Sequence, residues 1–123
     1  MDNYSFNSTG PDTSYLANIN IFFPVLFSLE IFKNRWPEDK LGSQSVLQND
    51  VDLYRQMYES GRTGNRLHIA ARKSARENLS GRIQKILRYA SVMAEENDVK
   101  ALLNSGVVTY KTRKKARRTT KPV

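Results

Sequence analysis

One run of apolar residues restricts the fold of this chain more than any other feature. The run has alternating spacings of four and three residues and consists of Leu79, Ile83, Ile86, Ala90 and Met93. Residues at these spacings lie on one stripe of an α-helix, and the stripe is buried against neighbouring elements. The pattern predicts a helix over residues 65–96, capped by residues 63–65. Traced towards its start, the stripe meets Arg72 and Arg76, where an apolar seam cannot continue.

A second helix is predicted over residues 45–60, with Gly61 as its stop. Its apolar stripe has spacings of four, three and four residues and consists of Leu47, Val51, Tyr54 and Tyr58. Ser45 and Gln48 form the pattern of a capping box. A short last helix is expected to begin with Asp98 as its N-cap and to end before Gly106.

The apolar segment that begins at residue 19 is compatible with two structures. Every odd position from 19 to 31 is apolar, as in a β-strand. A helix would have Asn18 or Asn20 as its N-cap and would place Pro24 in its first turn. Its buried residues would be Phe22, Leu26 and Leu29, with Val25, Phe32 and Trp36 beside them. We favour the helix because nothing downstream offers a partner strand, and the strand stays open as the alternative.

Together these segments predict an all-α fold, a small up-and-down bundle of three main helices and a short fourth. Residues 45–60 and 65–96 are expected to pack antiparallel, since their connection is short. A chain of 123 residues suits one domain. We assign residues 1–18 to a flexible N-terminal segment, residues 19–109 to the bundle and residues 110–123 to a basic tail.

The composition excludes several classes of site. The chain has no cysteine, which removes disulfide scaffolds, thiolate zinc sites and thiol nucleophiles. Its single histidine, His68, has no carboxylate or hydroxyl pattern around it, and no Walker loop or dinucleotide-binding motif occurs. We therefore expect no enzymatic activity, no cofactor and no metal.

Targeting signals are not expected either. The chain opens with polar residues, and its most apolar stretch, Ile19 to Phe32, is shorter than the roughly 20 residues that span a bilayer. We expect a soluble cytoplasmic protein with no membrane partner.

The net charge of +8 is concentrated in two places. Residues 55–88 contain nine basic and two acidic residues, whereas residues 1–54 contain three basic and seven acidic ones. From residue 110 onwards there are no acidic residues, and the basic ones are Lys111, Arg113, Lys114, Lys115, Arg117, Arg118 and Lys121. Such a tail is either a solubilising end or an arm that binds nucleic-acid phosphates.

The cations of the predicted helix 65–96 are scattered around its axis. Scatter is typical of a helix that pairs with acidic residues across the bundle, and the candidates are Asp50, Asp52 and Glu59. A face that contacts phosphates or an acidic partner through Arg72 and Arg76 is the alternative. We interpret the glycine-bearing segment 60–65 as a plain interhelical turn rather than an anion site.

Several short motifs occur in the order of a known family. They are Asn34-x-Trp36-Pro37, Tyr54 with Tyr58, Ala71-Arg72, Ile86-x-x-Tyr89, and the run Ala101-Leu102-Leu103-Asn104-Ser105-Gly106-Val107-Val108 before a Lys/Arg/Pro-rich stretch. Over residues 19–115 the chain resembles a small helical bundle of bacterial proteins of unknown function, often found just ahead of a fibronectin-type-III-like domain. The resemblance implies a fold and no activity, and a basic tail stands where that β domain would begin.

We therefore expect a non-enzymatic structural or protein-interaction module, which binds a protein partner or a second copy of itself. The alternative is a nucleic-acid-associated protein that contacts phosphates through its basic tail and its basic third helix.

Overall fold

In the part of the chain that the structure describes, the protein has three long helices, a short fourth helix, two smaller helical segments and a two-stranded sheet. The structure, a computed structural model, describes residues 3–61 and 66–111. In chain order its elements are β1 (Asn3–Phe6), α1 (Asp12–Ser28), α2 (Glu30–Asn34), α3 (Glu38–Leu41), α4 (Gln44–Gly61), α5 (Arg66–Met93), α6 (Glu96–Asn104) and β2 (Val108–Lys111). The predicted all-α fold is confirmed. Within the described ranges, no helix is both long and apolar enough to cross a membrane.

Helices α4 and α5 form the centre of the bundle, as their apolar stripes predict. The stripe of α5 is 1% exposed at Leu79, Ile83, Ile86 and Ala90. On α4, Leu47, Val51 and Tyr54 are buried, whereas Tyr58, the last residue of the predicted stripe, is only partly buried. Arg82 of α5 forms an ion pair with Asp50 of α4. Both partners lie well away from the short connection between the helices, so the two helices run back alongside each other. The caps predicted at residues 63–65 lie outside the described residues.

The segment that begins at residue 19 is helical, but its helix starts earlier than predicted. α1 begins at Asp12 rather than after Asn18 or Asn20, so Pro24 lies inside the helix instead of in its first turn. Pro24 is exposed, and the carbonyl that loses its amide partner therefore lies on the solvent side. The early start buries Tyr15 completely.

The two ends of the bundle differ from the expected flexible segment and from the expected boundary at residue 109. Strands β1 and β2 pair antiparallel, with Phe6 opposite Val108. Phe6 also packs edge-on against the ring of Tyr15, with the ring centroids 6.1 Å apart. Because the pairing continues as far as Lys111, the folded body extends beyond the predicted boundary.

The cap of α4 is supplied by a different serine from the one predicted. The Oγ of Ser43 accepts a hydrogen bond from the backbone amide of Val46 at 3.3 Å, which is the N-cap geometry. Ser45 lies inside the helix, and Gln48 donates its amide to Asp52 at 3.1 Å instead of closing a capping box. The spacing of Ser45 and Gln48 therefore resembles a capping box two residues after the actual cap.

Asp98 does not cap its own helix, which has Glu95 at the N-cap position. Its two carboxylate oxygens accept hydrogen bonds from the backbone amides of Glu30 and Ile31, each at 3.0 Å. These amides form the N-terminus of α2, where the chain restarts a helix after the extended residue Leu29. Asp98 is buried, and it joins the α1–α2 junction to α6.

Aromatic residues close the corner between α2, α3 and α5. The ring centroid of Trp36 lies 5.6 Å from that of Tyr89, and the indole N–H donates to the carbonyl of Gly42 at 2.7 Å. The Tyr89 hydroxyl donates to the carbonyl of Arg35. Trp36 and Tyr89 both belong to the short motifs of the sequence, and here they act as packing residues.

Candidate functional site

A cleft of about 780 Å³ lies between β1 and α5. One wall is formed by residues 4–6 together with Ser8 and Asp12, and the other by the face of α5 between Ile69 and Leu87. This volume is within the range of small-molecule and peptide sites in proteins. The cleft exists because β1 packs beside α5 on a face that α4 does not cover.

The two ends of the cleft differ in polarity. Its apolar part is formed by Phe6, Ile83 and Leu87, which all belong to the hydrophobic core. Ser8 and Asp12 lie opposite Arg76 and Arg72, respectively. Earlier residues of the segment 4–12 therefore lie opposite later residues of α5, and the cleft changes from apolar to basic along its length.

Arg76 is held by the fold from several sides. Its Nη1 donates to Oδ1 of Asp12 at 2.9 Å, and its Nη2 donates to the carbonyls of Ser8 and Gly10 at 2.7 and 2.8 Å. Its guanidinium carbon lies 4.4 Å from the ring centroid of Tyr15, a cation–π arrangement. Arg76 therefore fastens the segment between β1 and α1 to α5.

Asp12 forms ion pairs with both arginines of this region. Its Oδ2 lies 3.1 Å from Nε of Arg72, and its Oδ1 accepts the hydroxyl of Tyr54 at 2.8 Å. Arg72 and Arg76 interrupt the apolar stripe of α5, and Asp12 provides the anion that makes their burial tolerable. The side chains of Arg72, Arg76 and Asp12 remain only 19%, 21% and 27% exposed.

The protonation state of this cluster is fixed at neutral pH. Burial on its own would raise the pKa of Asp12, but hydrogen bonds from Tyr54 and Arg76 and the charges of Arg72 and Arg76 lower it below the usual 3.8. Burial, followed by the neighbouring Asp12 carboxylate, raises the pKa of Tyr54. Neither group is therefore suited to proton transfer near pH 7.

The basic end of the cleft has cationic donors that no described residue of the chain uses. Arg72 uses its Nε on Asp12, and no partner of its two terminal amino groups is found within residues 3–61 and 66–111. In the same part of the chain, the exposed Lys73 has no ion pair. Both residues line the cleft.

The structure brings together two of the residues that the sequence singled out, Arg72 and Arg76. Both arginines pair with Asp12, so Arg76 is not available as a free phosphate contact. The predicted pairing across the bundle is found for Asp50 with Arg82, whereas Asp52 pairs with Arg55 of its own helix at 3.0 Å.

The other predicted phosphate contacts belong to the basic tail. Lys111 belongs to β2 by its backbone, and its side chain lies outside the described part of the structure, as does that of His68. The rest of the tail also lies outside the described residues: Arg113, Lys114, Lys115, Arg117, Arg118 and Lys121.

Sequence reasoning missed Asp12 and the cleft itself. The sequence places Asp12 in a flexible segment because the residues before it, such as Ser8, Gly10 and Pro11, have the composition of an unstructured chain. A signal for it did exist, since two arginines one turn apart on a buried stripe require an anion from elsewhere in the fold. The cleft depends on the position of β1, for which the sequence offers no comparable signal.

Within the described residues, no group of three or more histidine, aspartate or glutamate side chains could hold a metal ion. Compared with protein-family models, with curated proteins and with solved structures, the chain gives no match.

Proposed function

We propose that this protein is a non-enzymatic interaction module, which holds a segment of a partner protein in the cleft between β1 and α5. The observation that carries the proposal is a concave surface with an apolar end and a basic end, in which Lys73 and the terminal amino groups of Arg72 have no partner among the described residues. Convergent polar groups beside an apolar surface are typical of binding sites.

The chemistry of the cleft supports binding rather than catalysis. Its aspartate is engaged by two arginines and a tyrosine. The hydroxyl of Ser80 is 2.8 Å from that of Tyr15, a residue whose pKa burial raises, so this contact supplies no base to activate the serine. A nucleophile needs such a base within hydrogen-bond reach, and the described side chains of the cleft do not provide one.

Selection of peptides from a random library tests this function. Displayed dodecapeptides are selected against the immobilised protein and then compared on two variants of α5. Gln84→Trp fills the cleft, because Gln84 is exposed and lines it. Asn78→Trp is the matched control, since Asn78 is exposed on the same helix but outside the cleft. We expect enriched peptides to bind the wild type and Asn78→Trp and to lose binding to Gln84→Trp. Failure to enrich any peptide, or equal binding to both variants, contradicts the proposal.

A second candidate function rests on the tail. Its seven cations without an acidic residue favour an arm that contacts nucleic-acid phosphates by counterion release. If so, the full chain binds duplex DNA with a log–log salt slope of several units, approaching about −0.9 for each neutralised phosphate.

The tail is tested by removing charge without shortening the chain. One variant carries Lys114→Gln, Lys115→Gln, Arg117→Gln and Arg118→Gln. Its control removes the same number of charges from exposed positions on the body through Lys33→Gln, Lys40→Gln, Lys85→Gln and Lys100→Gln. Only the tail variant should lose affinity and salt dependence. Equal losses in both variants, or no binding by the unmodified chain at low salt, exclude a nucleic-acid arm.

A further inference from the structure

The edge of β1 faces the cleft. The backbone amide of Asn7 donates to the carbonyl of Val107 at 2.9 Å, which fixes the alternation of the ladder. In an antiparallel pair, residues exchange hydrogen bonds at every second position. Residues 3, 5 and 7 therefore direct their backbone groups towards β2, and residues 4 and 6 direct theirs away from it.

The lining of the cleft shows that it runs along this edge rather than over one face of the sheet. Phe6 belongs to the core and Ser5 occupies the opposite face of the strand, yet both line the cleft. Val108 and Thr109, the residues of β2 whose side chains the structure describes, are not among those that line it. Only an edge presents side chains of both faces at once, because successive side chains alternate.

The far end of this edge is already occupied. The carbonyl of Ser8 accepts a hydrogen bond from Arg76, so the part of the strand that can be extended lies around Phe6. The path along the cleft from Phe6 to Arg72 consists of the two residues of extended chain up to Ser8 and the turn of α5 from Arg76 to Arg72. With a rise of about 3.3 Å per residue in a strand and about 1.5 Å in a helix, a bound extended segment covers this path with about four residues.

Charge indicates what kind of segment fits. The cleft is basic around Arg72 and Lys73, whereas Glu77 stands one turn further along α5. A carboxylate is therefore favoured beside Arg72 and Lys73, where it meets unused donors, and disfavoured in the middle of the cleft. The tail of this chain carries seven cations and no acid, so it has the wrong charge to occupy this end.

We propose that the partner segment adds to β1 as a third strand and places an acidic side chain or a terminal carboxylate against Arg72 and Lys73. This inference rests on the proposed interaction function and specifies its ligand: an extended segment that is apolar along β1 and acidic about four residues further on. Main-chain hydrogen bonds to the edge of β1 supply affinity, and the basic end supplies selectivity.

Designed peptides titrated into the full-length ¹⁵N-labelled protein test the proposal. Two acetylated and amidated nonapeptides share a valine–threonine repeat, and each carries two aspartates, one peptide at its amino end and the other at its carboxyl end. The pair covers both strand directions. Control peptides carry lysines in place of the aspartates, or N-methyl groups on alternate valines, which remove the donors that a strand needs.

At least one aspartate peptide should shift the amide resonances of Phe6 and Lys73. Binding should be lost with the N-methylated peptide and should weaken by about tenfold with the lysine peptide or with Lys73→Glu, as expected for one charge contact at a rim. Lys85→Glu is the matched control, because Lys85 is exposed on α5 but does not line this cleft. It should bind the aspartate peptide as the wild type does.

The results separate this inference from the function on which it rests. Equal binding of the N-methylated peptide overturns strand addition, and equal binding of the lysine peptide overturns the acidic preference. If none of the designed peptides binds while selected peptides still depend on an open cleft at Gln84, strand addition by an acidic segment is wrong and the interaction function stands. If both experiments give no binding, both are wrong.

Discussion

Ile83→Asp is expected to remove a large part of the stability of the bundle, or all of it. Ile83 is 1% exposed and lies in the middle of the α5 stripe, among core residues of α1 and α4. A carboxylate there has no cation within the apolar stripe, and burial of an unpaired charge costs at least about 4 kcal/mol. A domain of this kind has a total stability of about 5–15 kcal/mol. Circular dichroism at 222 nm, recorded during heating, should show a large fall in the melting temperature or the loss of the cooperative transition.

The control for this substitution is Val92→Asp on the same helix. Val92 is 78% exposed, so the new carboxylate stays in water and the melting temperature should change little. A melting temperature for Ile83→Asp equal to that of the wild type would disprove the assignment of α5's buried stripe.

Asp12→Ala is expected to destabilise the protein by about 3 kcal/mol, because a carboxylate that serves several donors is lost. The hydroxyl of the buried Tyr54 and the side chains of Arg72 and Arg76 all lose an acceptor. The cost stays below that of Ile83→Asp, since both arginines are about one fifth exposed and water replaces part of what they lose. Urea unfolding measures the difference. Asp39→Ala is the control, as Asp39 is exposed in the first turn of α3.

The effect of Asp12 should depend on pH in a defined direction. The pKa of Asp12 is lowered in the folded protein from the usual 3.8, so the unfolded chain takes up its proton first as the pH falls. The stability that Asp12 contributes is therefore complete well above pH 4 and is lost as the pH falls through the folded-state pKa. The difference in unfolding free energy between the wild type and Asp12→Ala should shrink over this acidic range. A difference that stays constant down to pH 2 would show that the carboxylate is not stabilised by its neighbours.

Those parts of the fold that depend on local spacing could be predicted from the sequence. The stripes of α4 and α5 repeat within a few residues, and the predicted helices over 45–60 and 65–96 agree closely with the observed Gln44–Gly61 and Arg66–Met93. A helical stripe needs no knowledge of its partner, since any neighbouring element can cover it.

What could not be predicted involves partners far apart in the chain. Asp98 has the sequence features of an N-cap. Its carboxylate does accept hydrogen bonds from the first amides of a helix, but that helix begins 68 residues earlier. The start of α1 was missed because Asp12 finds its arginines on α5 rather than nearby. In the same way, the sequence places Val108 at the end of the domain, although it is buried beside the first strand.

The candidate site was predicted only in part. Arg72 and Arg76 stood out because they interrupt an apolar stripe, and they do lie together at one end of the cleft. Their proposed role as joint contacts for phosphate does not fit the geometry of Arg76, whose donors are taken by Asp12, Ser8 and Gly10. Lys73 was one cation among many in the sequence, and only the position of β1 distinguishes it.

The cap that Asp98 provides for α2 affects how the chain folds during its synthesis. The ribosome releases the junction at Leu29 long before Asp98, and the partner strand of β1 emerges later still. Until then the first amides of α2 have no carboxylate, and the edge of β1 that pairs with β2 is open. Domains generally fold as units during translation, and here the unit is complete only when residues 98–111 have left the exit tunnel. Nascent chains stalled before Asp98 should therefore be far more sensitive to protease than chains in which an added C-terminal linker carries Lys111 out of the tunnel.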